Sequence, residues 1–127
     1  MLTQYEQLGG ESAVKKLVNR FYDLMDQRSD TIELRSMHAK SLKISREKLF
    51  LFLSGWLGGP SLYIEKYGHP KLKARHMPFA ITVLERDQWL LCMNQALKDQ
   101  ITNDELLLMT LVSSFKGVAD HMVNTPG

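Results

Sequence analysis

His76 stands at the end of the run Gly68-His69-Pro70-Lys71-Leu72-Lys73-Ala74-Arg75-His76-Met77-Pro78-Phe79, beside an arginine and just before a Pro-Phe break. Trp89 follows in the next strongly apolar segment. An imidazole can hold a haem iron from one side, and a guanidinium suits the propionates at the haem edge. An indole N–H is then available as a nearby donor. The same residues also admit a plainer reading, with His76 a partly exposed histidine and Trp89 a core anchor.

Other chemistries find less support. The four histidines are His38, His69, His76 and His121. His69 and His76 are separated by a proline with no carboxylate between them, a poor match to zinc-ligand spacing. Glu85 and Asp87 point to different sides of a helix, so no carboxylate pair is evident. No serine sits in a nucleophile-elbow pattern, and no glycine-rich loop leads from a strand into a helix.

Residues 1–127 are read as one domain, long enough to bury a core without disulfides or a structural metal. The net charge is only +2, and the local basic cluster Lys71, Lys73 and Arg75 is small, which argues against nucleic-acid binding. The single cysteine, Cys92, excludes an intrachain disulfide and a cysteine-ligated iron–sulfur cluster. Its apolar neighbours predict a buried packing residue. No signal peptide or membrane span is visible, so the expectation is a cytoplasmic protein with no membrane partner.

The elements that must position these groups are helical. A short helix is predicted over residues 3–8, stopped by Gly9-Gly10. Over 12–25, Val14, Leu17, Val18, Phe21, Leu24 and Met25 repeat at helical spacing, with Tyr22 at the edge of the stripe. A small helical piece is expected over 31–37. Ser45 reads as the N-cap of a helix over 45–57, which Gly58-Gly59-Pro60 ends. Residues 61–71 read mostly as loop, with at most one short helix before Pro78. Thr82 to Glu85 reads as a capping box opening the helix of Trp89, Leu90, Met93, Ala96 and Leu97. The same signal at Thr102 to Glu105 opens a last helix through Phe115. No segment alternates with period two. The prediction is an all-α domain of four substantial helices with one irregular connection leading into His76.

Within that frame a haem finds its parts. His76 could bind the iron. Arg75, Lys66, Tyr63 and Tyr67 could reach carboxylates, and Phe52, Leu53, Leu72, Phe79, Ile81 and Met93 could line the ring.

Read in order, the chain resembles the truncated haemoglobins of the second group. The matching stretches are Tyr5-Glu6-Gln7-Leu8-Gly9-Gly10, Arg20-Phe21-Tyr22 and Gly58-Gly59-Pro60-Ser61-Leu62-Tyr63, followed by the Gly68 to Phe79 run and Glu85-Arg86-Asp87-x-Trp89-Leu90-x-Cys92-Met93. The resemblance implies a two-over-two helical sandwich around one haem b. The helices of Tyr22 and of residues 45–57 would form one layer, and those of Trp89 and Phe115 the other. It implies His76 as the proximal iron ligand, with Tyr22 and Trp89 as distal donors to O2, which carries partial negative charge when bound. Tyr63 and Arg75 match positions near the propionates. A distal aromatic or histidine position falls on His38, with Met37 as its competitor. A polar donor at His38 would complete a network with Tyr22 and Trp89. The usual gate falls near Ser45, whose small side chain leaves the pocket open and donates little, and Leu49 forms an apolar wall.

The expected function is reversible binding of O2 and other diatomic ligands such as CO and NO, with slow O2 release. Coordination of the iron by Tyr22 or His38 in the ligand-free protein stays open. The alternative is redox chemistry at the same haem, either NO dioxygenation or peroxide reduction, which would need a reductase partner. A helical interaction module without haem is the third reading.

Overall fold

The architecture follows from four long amphipathic helices and the devices that start and stop them. The computed structural model describes residues 2–71, 74, 76–77 and 79–126. Its order is α1 (Gln4–Leu8), α2 (Gly10–Gln27), a 3-10 turn (Ser29–Thr31), α3 (Ile32–Ser36), α4 (Lys43–Trp56), α5 (Leu62–Tyr67), α6 (Val83–Gln100) and α7 (Glu105–Met122). No strand occurs among the described residues. The domain is all-α, as the sequence predicts.

Thr3 opens α1 with a reciprocal capping box: its hydroxyl accepts from Glu6 N–H, and the Glu6 carboxylate accepts from Thr3 N–H. The sequence reading placed a two-glycine break after α1. Both glycines make the corner, Gly9 at φ 126° and Gly10 at φ 76°, although Gly10 is already the first residue of α2. Only glycine adopts that backbone cheaply. α2 buries Val14, Leu17, Val18, Phe21, Tyr22, Leu24 and Met25, the stripe its spacing predicts plus the tyrosine at its edge. At its C-terminus the wholly buried Thr31 hydroxyl donates to the Met25 carbonyl at 2.9 Å, satisfying an acceptor the helix leaves open.

Two predicted caps move. Ser45 is not the N-cap of α4: the helix begins at Lys43, with Leu42 at the cap position and Ser41 Oγ accepting from Lys43 N–H. The last helix is capped by Asp104, whose carboxylate accepts from Leu107 N–H, rather than by Thr102. In both places a different polar side chain accepts from an N–H near the helix start, Ser41 at Lys43 and Asp104 at Leu107. The Thr82–Glu85 capping box at the start of α6 stands as predicted. The connection over 61–71, read as mostly loop, holds the six-residue helix α5, and Ala74 and His76 are helical as well.

α2 packs against α4 and against α6, and α6 against α7. α4 reaches α7 through the Trp56 and Phe115 rings, with centroids 4.7 Å apart. This pairing is that of the two-over-two sandwich. The core between the helices holds Phe21, Leu53, Cys92, Met93, Leu97, Leu111 and Phe115, all essentially without solvent contact. Each such side chain contributes about 1.5–3 kcal/mol by burial. Burial pushes the Cys92 thiol up to about 11, so it is inert packing.

The turn after α4 fixes where that helix stops. Gly59 lies against the Tyr5 ring so closely that a Cβ would overlap it. Tyr5 is held in turn by its N–H donating to the Leu57 carbonyl at 2.9 Å. Gly59→Ala should therefore destabilise the fold by about 1–3 kcal/mol. Gly117, inside α7 with nothing near its missing Cβ, is the control. Gly117→Ala should stabilise by about 0.5–1 kcal/mol. Denaturant midpoints of the two variants check both signs.

Candidate haem site

Tyr22, His38 and Trp89 come together through α2. The Tyr22 ring meets His38 edge-on at 5.9 Å and Phe21 at 4.9 Å. Phe21 meets Trp89 at 5.2 Å, and Trp89 meets Phe115 at 5.8 Å. The contacts continue through Trp56, Phe52 and Tyr63 to Tyr67. One unbroken aromatic wall thus runs from Tyr67 to His38. It gathers most of the ring-bearing residues the sequence singled out, although they lie on five different elements.

The electrostatics of this wall are those of neutral polar groups in an apolar surround. Burial holds the Tyr22 phenol well above its ordinary value of 10.0, opposed by the Arg46 charge and by a hydrogen bond with Ser45. Burial keeps the phenol protonated, so Tyr22 retains a hydrogen to donate. Ser45 is thus engaged with Tyr22 rather than serving only as a small gate. Arg46 lies 5.8 Å from the Tyr22 ring centre and is held to Asp23 at 2.8 Å and to the Asn19 carbonyl at 3.0 Å. This fixes the start of α4 over α2. Burial holds His38 below the ordinary histidine value, as do the nearby charges of Arg35 and His76. The roles of the two histidines follow from the family likeness and are taken up below.

Three polar residues that the sequence reading passed over position these groups. Arg35 bonds Asp26 at 2.9 Å and the carbonyls of Ala39 and Lys40 at 2.9 and 2.8 Å, pinning the connection that carries His38. Gln88 is buried one residue before Trp89 and bonds Leu34 N–H and Glu33 across α3. Its signal was its place four and eight residues before Cys92 and Ala96, on the core-facing stripe of α6. Asn124 lies beyond the last helix. Its amide donates to the carbonyls of His76 at 3.3 Å and Phe79 at 2.9 Å, and its oxygen accepts from Ile81 N–H at 2.9 Å. The segment around His76 is tied to the C-terminal tail in this way, which no local pattern in the sequence announces.

The remaining candidates fall into three groups. Leu49 and Phe52 on α4 are half-buried, and Tyr63 and Ile81 are buried. Leu53 and Met93 are wholly enclosed in the protein core. Phe79, with its neighbours Val83 and Leu84, is 43–50% exposed, an unusual concentration of uncovered apolar side chains immediately after His76. Leu72 and Arg75 lie outside the described residues. Met37, the competitor of His38, is half-buried, but it is the His38 ring that lies against Tyr22.

The residues present fit a haem. A half-buried histidine can bind iron, and half-covered aromatic and aliphatic side chains suit a flat apolar ring. Lys66, Tyr63 and Tyr67 at the end of the wall suit carboxylates. The state of Tyr22 gives a test without any ligand. Its folded value lies above its unfolded one, so its contribution to stability is complete below about pH 10 and declines as pH rises further. Stability of the wild-type chain should fall more steeply above pH 10 than that of Tyr22→Phe in parallel denaturant titrations. Equal slopes would mean that Tyr22 ionises normally.

Residues 3–124 match the family described as bacterial-like globin. Among curated proteins, the chain is 37% identical over 120 residues to the group 2 truncated hemoglobin YjbI of Bacillus subtilis (strain 168), covering 94% of this chain and 87% of that protein. Among solved structures it is similar to the cold-adapted truncated hemoglobin from the Antarctic marine bacterium Pseudoalteromonas haloplanktis TAC125, with TM-score 0.95, 47% identity and 98% and 99% of the two chains covered. It is also similar to the group II 2-on-2 hemoglobin of Agrobacterium tumefaciens, with TM-score 0.94, 39% identity and 98% and 96% covered. A family match across almost the whole length, joined to the same helical frame, makes this chain a bacterial-like globin of the group II truncated haemoglobins.

Proposed function

We propose that this globin reversibly binds O2, and with it CO and NO, at a haem b whose iron is held by His76. The observation that carries the reading is the joining of Tyr22 and Trp89, through Phe21, in one aromatic wall. That wall offers two neutral donors, a phenol and an indole, on an otherwise apolar surface. Haem, when bound, supplies a ferrous iron able to take a diatomic ligand. The chain supplies everything else.

His76 holds the iron from the proximal side, and the Asn124 clamp on the carbonyls of His76 and Phe79 restricts how that histidine can swing. Tyr22 keeps its proton because burial suppresses ionisation. Trp89 can only donate. Both therefore present hydrogen to a ligand that accumulates negative charge, an arrangement that favours O2 over CO and slows its escape. Phe52, Leu49 and Phe79 exclude water from the ring faces. Lys66, Tyr63, Tyr67 and Arg75 suit the propionates.

Spectra of the purified protein test the reading. An intense Soret band should shift on reduction and again on exposure to O2; no band, even after added haemin, would contradict it. Trp89→Phe removes one donor and keeps the aromatic bulk. Stopped-flow measurement should show O2 leaving about fivefold faster, the equivalent of one hydrogen bond of about 1 kcal/mol. An unchanged rate would remove Trp89 from the donor set.

A further inference from the structure

The proton on His38 can be located from its partner. Nδ1 lies 2.9 Å from the carbonyl oxygen of Leu34. A carbonyl oxygen only accepts, so Nδ1 carries the hydrogen. A neutral imidazole has a single N–H, so Nε2 carries a lone pair. This departs from the donor role expected of His38 from the sequence.

Leu34 is itself held. Its N–H donates to Gln88 Oε1 at 3.0 Å, while Gln88 Nε2 donates to the Glu33 carboxylate at 2.7 Å. Leu34 and Gln88 are both buried, at 5% and 6% exposure, so the bond between them is shielded from water. The amide orientation is also determined: a backbone N–H must meet the oxygen, and a carboxylate must meet the nitrogen. The relay from Glu33 through Gln88 and Leu34 to His38 therefore has one consistent placement of hydrogens. It joins α6, at the residue beside Trp89, to α3 and the connection bearing His38.

We propose that Gln88 is a positioning residue of the distal pocket: by clamping Leu34 it keeps the proton of His38 on Nδ1, so that His38 offers the pocket a bare Nε2 acceptor and the donors there are Tyr22 and Trp89. The effect on ligands rests on the haem-binding reading above; the proton placement does not. An acceptor at this position takes a hydrogen bond from water or from a ligand bearing its own proton. It gives nothing to O2.

Long-range 1H–15N correlation of the histidine ring nitrogens reads the proton placement directly. The ferrous carbonyl protein is diamagnetic and suits the measurement, and a chain that took up no haem would still report it. His38→Leu identifies the signals. In the wild type, Nδ1 of His38 should be protonated and Nε2 not; a protonated Nε2 overturns the acceptor role. Gln88→Met keeps the length of the side chain but loses both bonds, and should populate both His38 tautomers. The exchange of Gln88→Glu together with Glu33→Gln keeps an acceptor for Leu34 N–H and an amide donor facing a carboxylate, and should restore the single Nδ1-protonated form. A single tautomer unchanged in Gln88→Met, or lost in that exchange, overturns the role of Gln88.

Discussion

Trp89 lies between Phe21 of α2 and Phe115 of α7, and the rest of the site is arranged around that contact. Three helices meet there, and none of the three rings can shift without disturbing the others. Phe21 carries Tyr22 beside it on α2, so the packing that seals the core also sets the phenol. Phe115 carries the contact on to Trp56 and so to α4. The positions of Tyr22 and Trp89 gain their precision from this shared aromatic joint.

The polar parts of the site are attached differently. His38 sits on a connection, and its position depends on hydrogen bonds to backbone groups: Leu34 for its ring, and Ala39 and Lys40 through Arg35. His76 depends on Asn124 in the same way. Backbone groups are a sound anchor because each needs a partner when buried, and leaving one unpaired costs about 1–3 kcal/mol. Gln88 and Asn124 satisfy such groups and, in doing so, fix the segments that bear the two histidines. The connection bearing His38 and the segment bearing His76 are thus both held by an amide side chain from a distant element.

The same distinction explains what could be read from the sequence. The apolar stripe of α2, the all-helical class, the capping box at Thr82 and the burial of Cys92 depend on local spacing, and the sequence displays them. The family motifs gathered Tyr22, His76 and Trp89 before any coordinate was known. Ser45 and Thr102 are displaced as caps because α4 starts two residues earlier, at Lys43, and α7 starts at Glu105 behind Asp104. Gln88 and Asn124 were missed because their partners lie 54 and 43 residues away, where no periodicity points. His38 was found as a residue but not as a tautomer. Only its distance to a carbonyl fixes which nitrogen bears hydrogen.

The central claim is that His76 holds the haem iron, and the iron–histidine stretching band of the ferrous, ligand-free protein tests it most directly. The account predicts that this band is present in the wild type, lost in His76→Gly, and restored when imidazole is added to that variant. An identical band in His76→Gly without imidazole would contradict the account and move the proximal role to another histidine.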